Sequence, residues 1–443
     1  MTLPRFFRIA VTILVVLPLL TSGVSAQAII GGGGRAATNP TGPALQDLTE
    51  ILHPGLILQD RNGDDLVDFV ETRILLSGYP TEAEVVAAAN LAARLGYETS
   101  GVNLGLVGQA GVEGPFSHPV FLVGAGAVDA AGLADHTDPV RGGLAPGQGA
   151  LAHFPAMGSF QGGAVAVVGY DATGLLAAAA YLAGRYPDVW APEGAAWSQV
   201  VEEVEAFAGS RVSGESSVAL DRIVVEDDGA GVLRARVTVR VPDRAQFQLA
   251  VEAFLGNDTL GTAGVPDSLP AHAPAESDSA QSKAGQDPPT LSDLEFEYLY
   301  RADIRVVGPG LVRTIPLRPR KPWQPKADQE FRRAGDATFS LPGLYAVGGL
   351  FRDTNRDLVP DVTAAYLSVK GSQAGSSVVD LATRIGLETA GIRLPLVRVS
   401  DQEDDPTEAG LPVLLGTNHY QIQRLREDGK LPASGVEAGE GFV

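Results

Sequence analysis

A chain of 443 residues with 45% hydrophobic side chains is long enough to bury two or three cores. It contains no cysteine, which excludes disulfides and thiol catalysis. A formal charge of −20 repels nucleic acid and anionic lipid, so nucleic-acid partners are excluded on electrostatic grounds.

Residues 1–26 have the layout of a secretory signal peptide: Arg5 and Arg8, an apolar run from Ile9 to Leu20, then Val24-Ser25-Ala26. The run is short for a bilayer and contains Pro18, so a mature chain beginning at Gln27 is expected, secreted or periplasmic, with no membrane insertion. Residues 27–44, with Gly31 to Gly34, read as a flexible leader.

From residue 45 to 195 the pattern is that of an α/β module. Phe69 to Leu76 reads as a strand. Thr81 then caps a helix as a capping box with Glu84, and Val85, Ala88, Ala92 and Leu95 form its apolar stripe. Gly96 reads as the left-handed residue that ends it. Val102–Val107, Pro119–Val123 and Ala164–Val168 read as buried strands, and Asp171 caps an alanine-rich helix that stops before Pro187. Alternation of this kind implies a mostly parallel sheet covered by helices. Residues 196–345 follow as a β-rich domain: Val232–Val241 and Phe296–Val306 alternate with period two, and Gly308-Pro309-Gly310 turns the chain into Leu311–Leu317. Its insertion 256–289, rich in Ser, Ala, Pro, Asp and Gly, reads as disordered.

Residues 346–443 repeat the first module. Arg94-Leu95-Gly96-Tyr97-Glu98-Thr99-Ser100-Gly101 returns as Arg384-Ile385-Gly386-Leu387-Glu388-Thr389-Ala390-Gly391. Asp60, Asn62, Asp64 and Asp68 return as Asp353, Asn355, Asp357 and Asp361 with the same spacing. Leu106-Val107 matches Leu396-Val397, the run to Gly124 matches the run to Gly416, and Gly147-x-Gly149 matches Gly439-x-Gly441. The second copy has no counterpart of the Ala164–Val168 strand or of the helix after it, so it is expected to be incomplete, with the natural chain continuing past Val443. The fold class is therefore α/β: two copies of a mostly parallel module separated by an antiparallel β-rich domain, the second truncated.

One constellation points to chemistry. Asp60, Asn62, Asp64, Asp68 and Glu71 occupy positions 1, 3, 5, 9 and 12 of a calcium-loop spacing, where alternate oxygen ligands wrap a hard cation. Asp65 stands where such a loop wants glycine, and an Asp/Asn-rich turn bonding its own amides is the competing reading. In the second copy the candidates are Asp353, Asn355, Asp357 and Asp361, with Ala364 at position 12. The sequence contains no Gly-x-Ser-x-Gly, no phosphate loop and no histidine pair at zinc-ligand spacing, and Gly124-Ala125-Gly126 lacks the third glycine of a dinucleotide fingerprint. Glu98 and Glu388 are expected to pair with Arg94 and Arg384. The basic run Arg318 to Arg333 reads as a solvated edge or a docking face for an acidic neighbour.

The phrases Asp60-Arg61-Asn62-Gly63-Asp64, Ala92 to Thr99 and Gly349-Leu350-Phe351-Arg352-Asp353 resemble the non-catalytic region of large secreted bacterial proteins, some similar to zinc carboxypeptidases. The module order also resembles the periplasmic subunit of bacterial cellulose synthase. Gly147 to Ala183 resembles the accessory α/β domain preceding the barrel of several exo-glycosidases. These resemblances imply an accessory binding or scaffolding region without a catalytic site of its own. Its partner would be a downstream domain of the same protein or an extracellular polymer, polysaccharide or peptide. The alternative they imply is the N-terminal part of a carboxypeptidase-like zinc hydrolase whose active site lies beyond residue 443.

Overall fold

The computed structural model describes residues 12–13, 43–101, 105–184, 186–187, 196–199, 202, 219–227, 233–240, 248–255, 302–308, 311–317, 343–345, 349–353, 360, 362–372, 375–392, 394–400, 411–416 and 418–431. The leader at 27–42, most of the signal segment, the insertion 256–289, the basic run 318–333 and the pair Gly439 and Gly441 lie outside these residues. Within them the content is mixed α/β.

In chain order the first elements are β1 (Thr12–Ile13), the hairpin of β2 (Leu58–Gln59) and β3 (Phe69–Val70), then β4 (Ile74–Leu76), α1 (Glu82–Tyr97), β5 (Val107–Gln109) and β6 (Val120–Val123). There follow α2 (Ala125–Ala130), α3 (Ala134–Arg141), β7 (Gln148–Phe154), β8 (Ala164–Gly169) and α4 (Ala172–Gly184). Strands β4, β5, β6 and β8 are parallel, in the order β8-β6-β4-β5, and β7 adds antiparallel beside β8. The strand expected over Phe69–Leu76 is two strands in different sheets, because the chain leaves the hairpin at Glu71–Arg73 before entering the parallel sheet.

Both faces of this sheet are covered. Phe121, Val123, Val165 and Val167 face α1 and α4, while Val120, Leu122, Ala164, Ala166 and Val168 face α2 and α3. That is why β6 and β8 read as unbroken apolar runs.

The β-rich segment does not form a sheet of its own. β9 (Ala219–Asp227) pairs antiparallel with β7, and β10 (Leu233–Arg240), β11 (Gln248–Leu255), β12 (Ala302–Gly308) and β13 (Leu311–Leu317) continue as an antiparallel meander. The result is one ten-stranded sheet. The alternation at Leu233–Arg240 is thus correctly a strand, but it extends the first sheet across an edge that sequence gave no reason to regard as open.

The remaining elements are the hairpin of β14 (Phe351–Arg352) and β15 (Val362–Thr363), then β16 (Ala365–Val369), α5 (Gly375–Leu387), β17 (Val397–Val399), β18 (Leu411–Leu415) and α6 (Tyr420–Glu427). β17, β16 and β18 are parallel, and the outer neighbour of β18 is β1, through Thr12 beside Val413 and Ile13 beside Leu414. In the first sheet the corresponding neighbour of β6 is β8, paired over Val120 to Val123. The registers also correspond: Ile74 lies between Val107 and Phe121, and Leu367 between Val397 and Val413.

α1 joins the two units. Residues Ala83 to Ala93 are buried without interruption, with Leu95 and Gly96. A helix apolar on every side belongs in an interior. Here one side meets the first sheet and α4, and the other meets α5 and β17.

Gly96 is a correction to the expected helix end. α1 runs on to Tyr97, its cap Glu98 is right-handed, and Gly96 lies inside the last turn. A Cβ on Gly96 would stand 2.2 Å from the carbonyl oxygen of Thr383, and one on Gly386 would stand 2.1 Å from that of Ala93. The glycines let the two helix backbones touch, each against the other helix one turn earlier.

Candidate functional site

The first acidic loop closes the β2–β3 hairpin. Its exposed side chains are absorbed by its own backbone. Asp60 Oδ1 accepts the amides of Gly63 (2.6 Å) and Asp64 (3.3 Å), and Oδ2 that of Asp65 (2.8 Å). Asn62 accepts from Asp64 N–H at 3.0 Å, Asp64 from Leu66 N–H at 2.9 Å, and Asp68 from Arg61 N–H at 3.0 Å. The Gly63 amide is the largest cause holding the Asp60 carboxyl below the usual range. Asp65, the residue where the calcium spacing wants glycine, has φ +67°, so the left-handed conformation is present without the glycine.

Glu71, expected to close the coordination sphere, has other partners. It pairs with the Arg61 guanidinium at 3.2 Å and lies 4.0 Å from His118 Nδ1, whose pKa burial pushes down. Arg61 in turn covers the Phe69 ring. The loop therefore gathers Asp60, Asn62 and Asp64 in one turn, and it turns Asp68 and Glu71 towards Arg61. Among the described residues no group of three His, Cys, Asp or Glu side chains converges at metal-binding geometry. Of the second loop only Asp353 is described; Asn355, Asp357 and Asp361 lie outside the described residues.

The repeated Glu-Thr-x-Gly phrase anchors these loops. Ser100 N–H donates to the Val67 carbonyl at 2.8 Å, and Thr99 Oγ1 lies 3.1 Å from the same oxygen. Ala390 N–H and Thr389 Oγ1 meet the Pro360 carbonyl in the same way, at 2.8 and 3.2 Å. Glu98 pairs with Arg94 and Glu388 with Arg384, four residues apart on their helices.

Open α/β sheets usually take ligands outside the carboxyl ends of the strands, at the point where strand order reverses. In the first sheet that point lies between β4 and β6, because α1 and α2 leave to opposite faces. It is filled by Glu84. The capping box is present as expected, with Thr81 N–H donating to Glu84 Oε2 at 2.7 Å, and Glu84 is buried. Gly124, at φ +89°, passes so close that a Cβ there would lie 1.8 Å from Glu84 Oε1. The glycine lets the chain turn over a carboxylate that plugs the crevice. A related mesh closes the adjoining edge: a Cβ on Gly149 would strike the Gly174 carbonyl, and one on Gly174 the Gln148 carbonyl. Asp171 accepts the amides of Gly147 and Gly174, at 3.0 and 2.9 Å. These contacts give the Gly147-x-Gly149 landmark a packing role.

The equivalent position of the second sheet lies between β16 and β18. A Cβ on Gly416 would meet the Lys370 carbonyl. His419, fully buried, caps α6 by accepting Gln421 N–H on Nδ1 at 3.2 Å, and its Nε2 lies 2.9 Å from Ser368 Oγ. With Nδ1 an acceptor, the proton of the neutral ring sits on Nε2 and is donated to Ser368. The ring cannot then draw a proton from that serine, so the pair is a strut and lacks the polarity of a nucleophile and its base. Burial, helped by the Lys370 charge, lowers the His419 pKa to about 4, keeping the ring neutral. Nothing in the sequence marked this pair, because Ser368 and His419 are 51 positions apart and meet only across the sheet.

No protein-family model matches this chain, and no curated protein or solved structure matches it either. No helix among the described residues is long and apolar enough to cross a membrane.

Proposed function

We propose that this chain is an accessory binding and scaffolding region of an exported bacterial protein, built from two copies of one α/β module and without a catalytic site of its own. The observation that carries the reading is the filling of both switch points by the chain's own groups, Glu84 beneath Gly124 and the Lys370 backbone with His419 beside Gly416. Where such sheets hold small ligands, these sheets hold themselves. The two-copy reading is supported by the matched registers around Ile74 and Leu367, and by the reciprocal contacts of Gly96 and Gly386. The partners are a downstream domain of the same protein or an extracellular polymer. Calcium is the ion the first loop would take, held by the oxygens of Asp60, Asn62 and Asp64 with Asp68 at the next position; Glu71 would have to leave Arg61 to join them.

The test expresses the chain with its leader and examines the exported product. Its first residue should be at or near Gln27, and it should show no turnover of peptide, ester or glycoside reporters. A membrane-bound product retaining Met1 overturns export, and turnover abolished by substitution within 45–431 overturns the non-catalytic reading.

A further inference from the structure

The crevices are closed, but the rim outside the first of them is not bare. Only four large apolar or aromatic side chains among the described residues are more than half exposed: Leu66 at 60%, Tyr79 at 97%, Val112 at 72% and Tyr170 at 51%. Leu66 belongs to the acidic loop. The other three all stand on segments leaving the carboxyl ends of parallel strands of one sheet: Tyr79 after β4, Val112 after β5 and Tyr170 after β8. Scattered exposed apolar groups need no explanation, but a row along one edge does.

We infer that this edge is a binding platform for a neutral polysaccharide chain, with Tyr79 and Tyr170 as its stacking surfaces. The inference rests on the accessory-region reading above and names its polymer. The class of ligand follows from three observations. β4 and β8 stand two places apart in the order β8-β6-β4, so at about 4.8 Å per strand their ends are about 10 Å apart. That is of the order of a disaccharide, so one sugar chain lying along this edge would cross the segments that carry both rings. Between and beside them the rim is polar and open: Gly78, Gln109, Gly126 and Asp171 are exposed, and Asp171 retains lone pairs beyond the two amides it accepts. The Gln109 side-chain amide lies 2.9 Å from where a Cβ on Gly78 would stand, beside the segment that carries Tyr79, and Gln109 and Asp171 can bond hydroxyl groups.

The third observation is charge. At −20 the chain disfavours acidic polymers, which leaves neutral ones. An extended peptide fits less well, because strand ends offer no lateral row of free N–H and C=O groups to pair with; those rows lie at the outer edges, on β5 and β13. The tyrosines combine an apolar ring with a polar tip, which suits a ligand with apolar faces and a hydroxylated rim.

The full mature chain is run by native affinity electrophoresis through gels containing a panel of soluble neutral polysaccharides, β-glucans, mannans and xylans. Retardation is expected with at least one. Tyr79→Ala and Tyr170→Ala should each weaken it about tenfold, the loss of an anchor worth about 1.4 kcal/mol. Tyr79→Trp should retain it, and Tyr420→Ala, which removes an exposed tyrosine on α6, should leave it unchanged. Both tyrosines of the platform are exposed, so the variants should melt with the wild type. No retardation across the panel, or retardation indifferent to the Tyr79/Tyr170 double variant, overturns the proposal. Retention of the wild type but not the double variant on an immobilised unfolded polypeptide, with no polysaccharide effect, assigns the edge to protein and also overturns it. An exported, non-hydrolytic chain that fails the gels leaves the accessory reading standing, so the two failures are distinguishable.

Discussion

Gly96→Ala offers a sharp test of how the two sheets are joined, because local and tertiary effects predict opposite signs. In an ordinary helix interior, glycine to alanine stabilises by about 1 kcal/mol. Here the new Cβ would stand 2.2 Å from the Thr383 carbonyl oxygen, and also 3.1 Å from its carbon and 3.2 Å from the Leu387 nitrogen. All three are backbone atoms, so no rotamer change relieves the overlap. An ordinary carbon–oxygen contact requires α1 and α5 to part by about 1 Å, and overpacking of that kind costs about 1–3 kcal/mol, which opposes the propensity gain. Separation also strains the hydrogen bonds of Asn90 to the Val397 backbone, at 2.8 and 2.9 Å. The expected result in urea or thermal denaturation of the full chain is a net loss of up to about 2 kcal/mol, the overpacking cost less the propensity gain. Gly386→Ala should cost a similar amount, since its Cβ would meet the Ala93 carbonyl at 2.1 Å. The double variant should cost less than the two losses together, because one separation accommodates both. Gly375→Ala is the control: its Cβ would meet Val85 Cγ2 at an ordinary 3.8 Å, and it should be neutral or stabilising. A Gly96→Ala chain as stable as the wild type would refute the close backbone contact and with it the shared helical interface.

Three other outcomes are expected. Asn90→Leu leaves the buried Val397 N–H and C=O without their partner and should destabilise the chain by about 2–6 kcal/mol in urea titration, at about 1–3 kcal/mol for each stranded group. His419 has a folded pKa of about 4, below the ordinary 6.5, so the folded state holds fewer protons than the unfolded one. Its contribution is therefore complete above pH 6.5 and is lost as pH falls towards 4, at most about 3 kcal/mol. His419→Gln should flatten that part of the stability–pH curve relative to wild type, and parallel curves would show the ring does not titrate there. Calcium in 100-fold excess over its Kd should add about 2.7 kcal/mol to the first unit's stability if it binds only the folded loop. Asp64→Ala should remove that gain, and identical melting with calcium and with chelator would leave the hairpin to its own amides.

The boundaries between local and tertiary information are visible in particular residues. Helix α1 was legible from its capping box and its spacing, since Thr81, Glu84 and the apolar run act within a few residues of one another. The buried strands β6 and β8 were legible because a strand covered on both faces must be apolar throughout. The correspondence of Arg94–Gly101 with Arg384–Gly391 was likewise a property of the string. The roles of those same residues were not. Gly96 looks like a helix stop because glycine commonly is one, and only the approach of α5, almost three hundred positions away, makes it a contact point. Spacing alone also grouped Glu71 with Asp60, and Arg61 and His118 took it elsewhere. The edge pairing of β9 with β7 and the meeting of Ser368 with His419 had no local sign, because backbone edges and buried polar partners are chosen by which surfaces the fold brings together. The sequence by itself determined helix α1, the buried strands β6 and β8, the recurrence of one phrase and the charge. The tertiary structure decided which glycines are contacts, which carboxylates are already spent and which tyrosines remain in water, because each depends on neighbours that are distant along the chain.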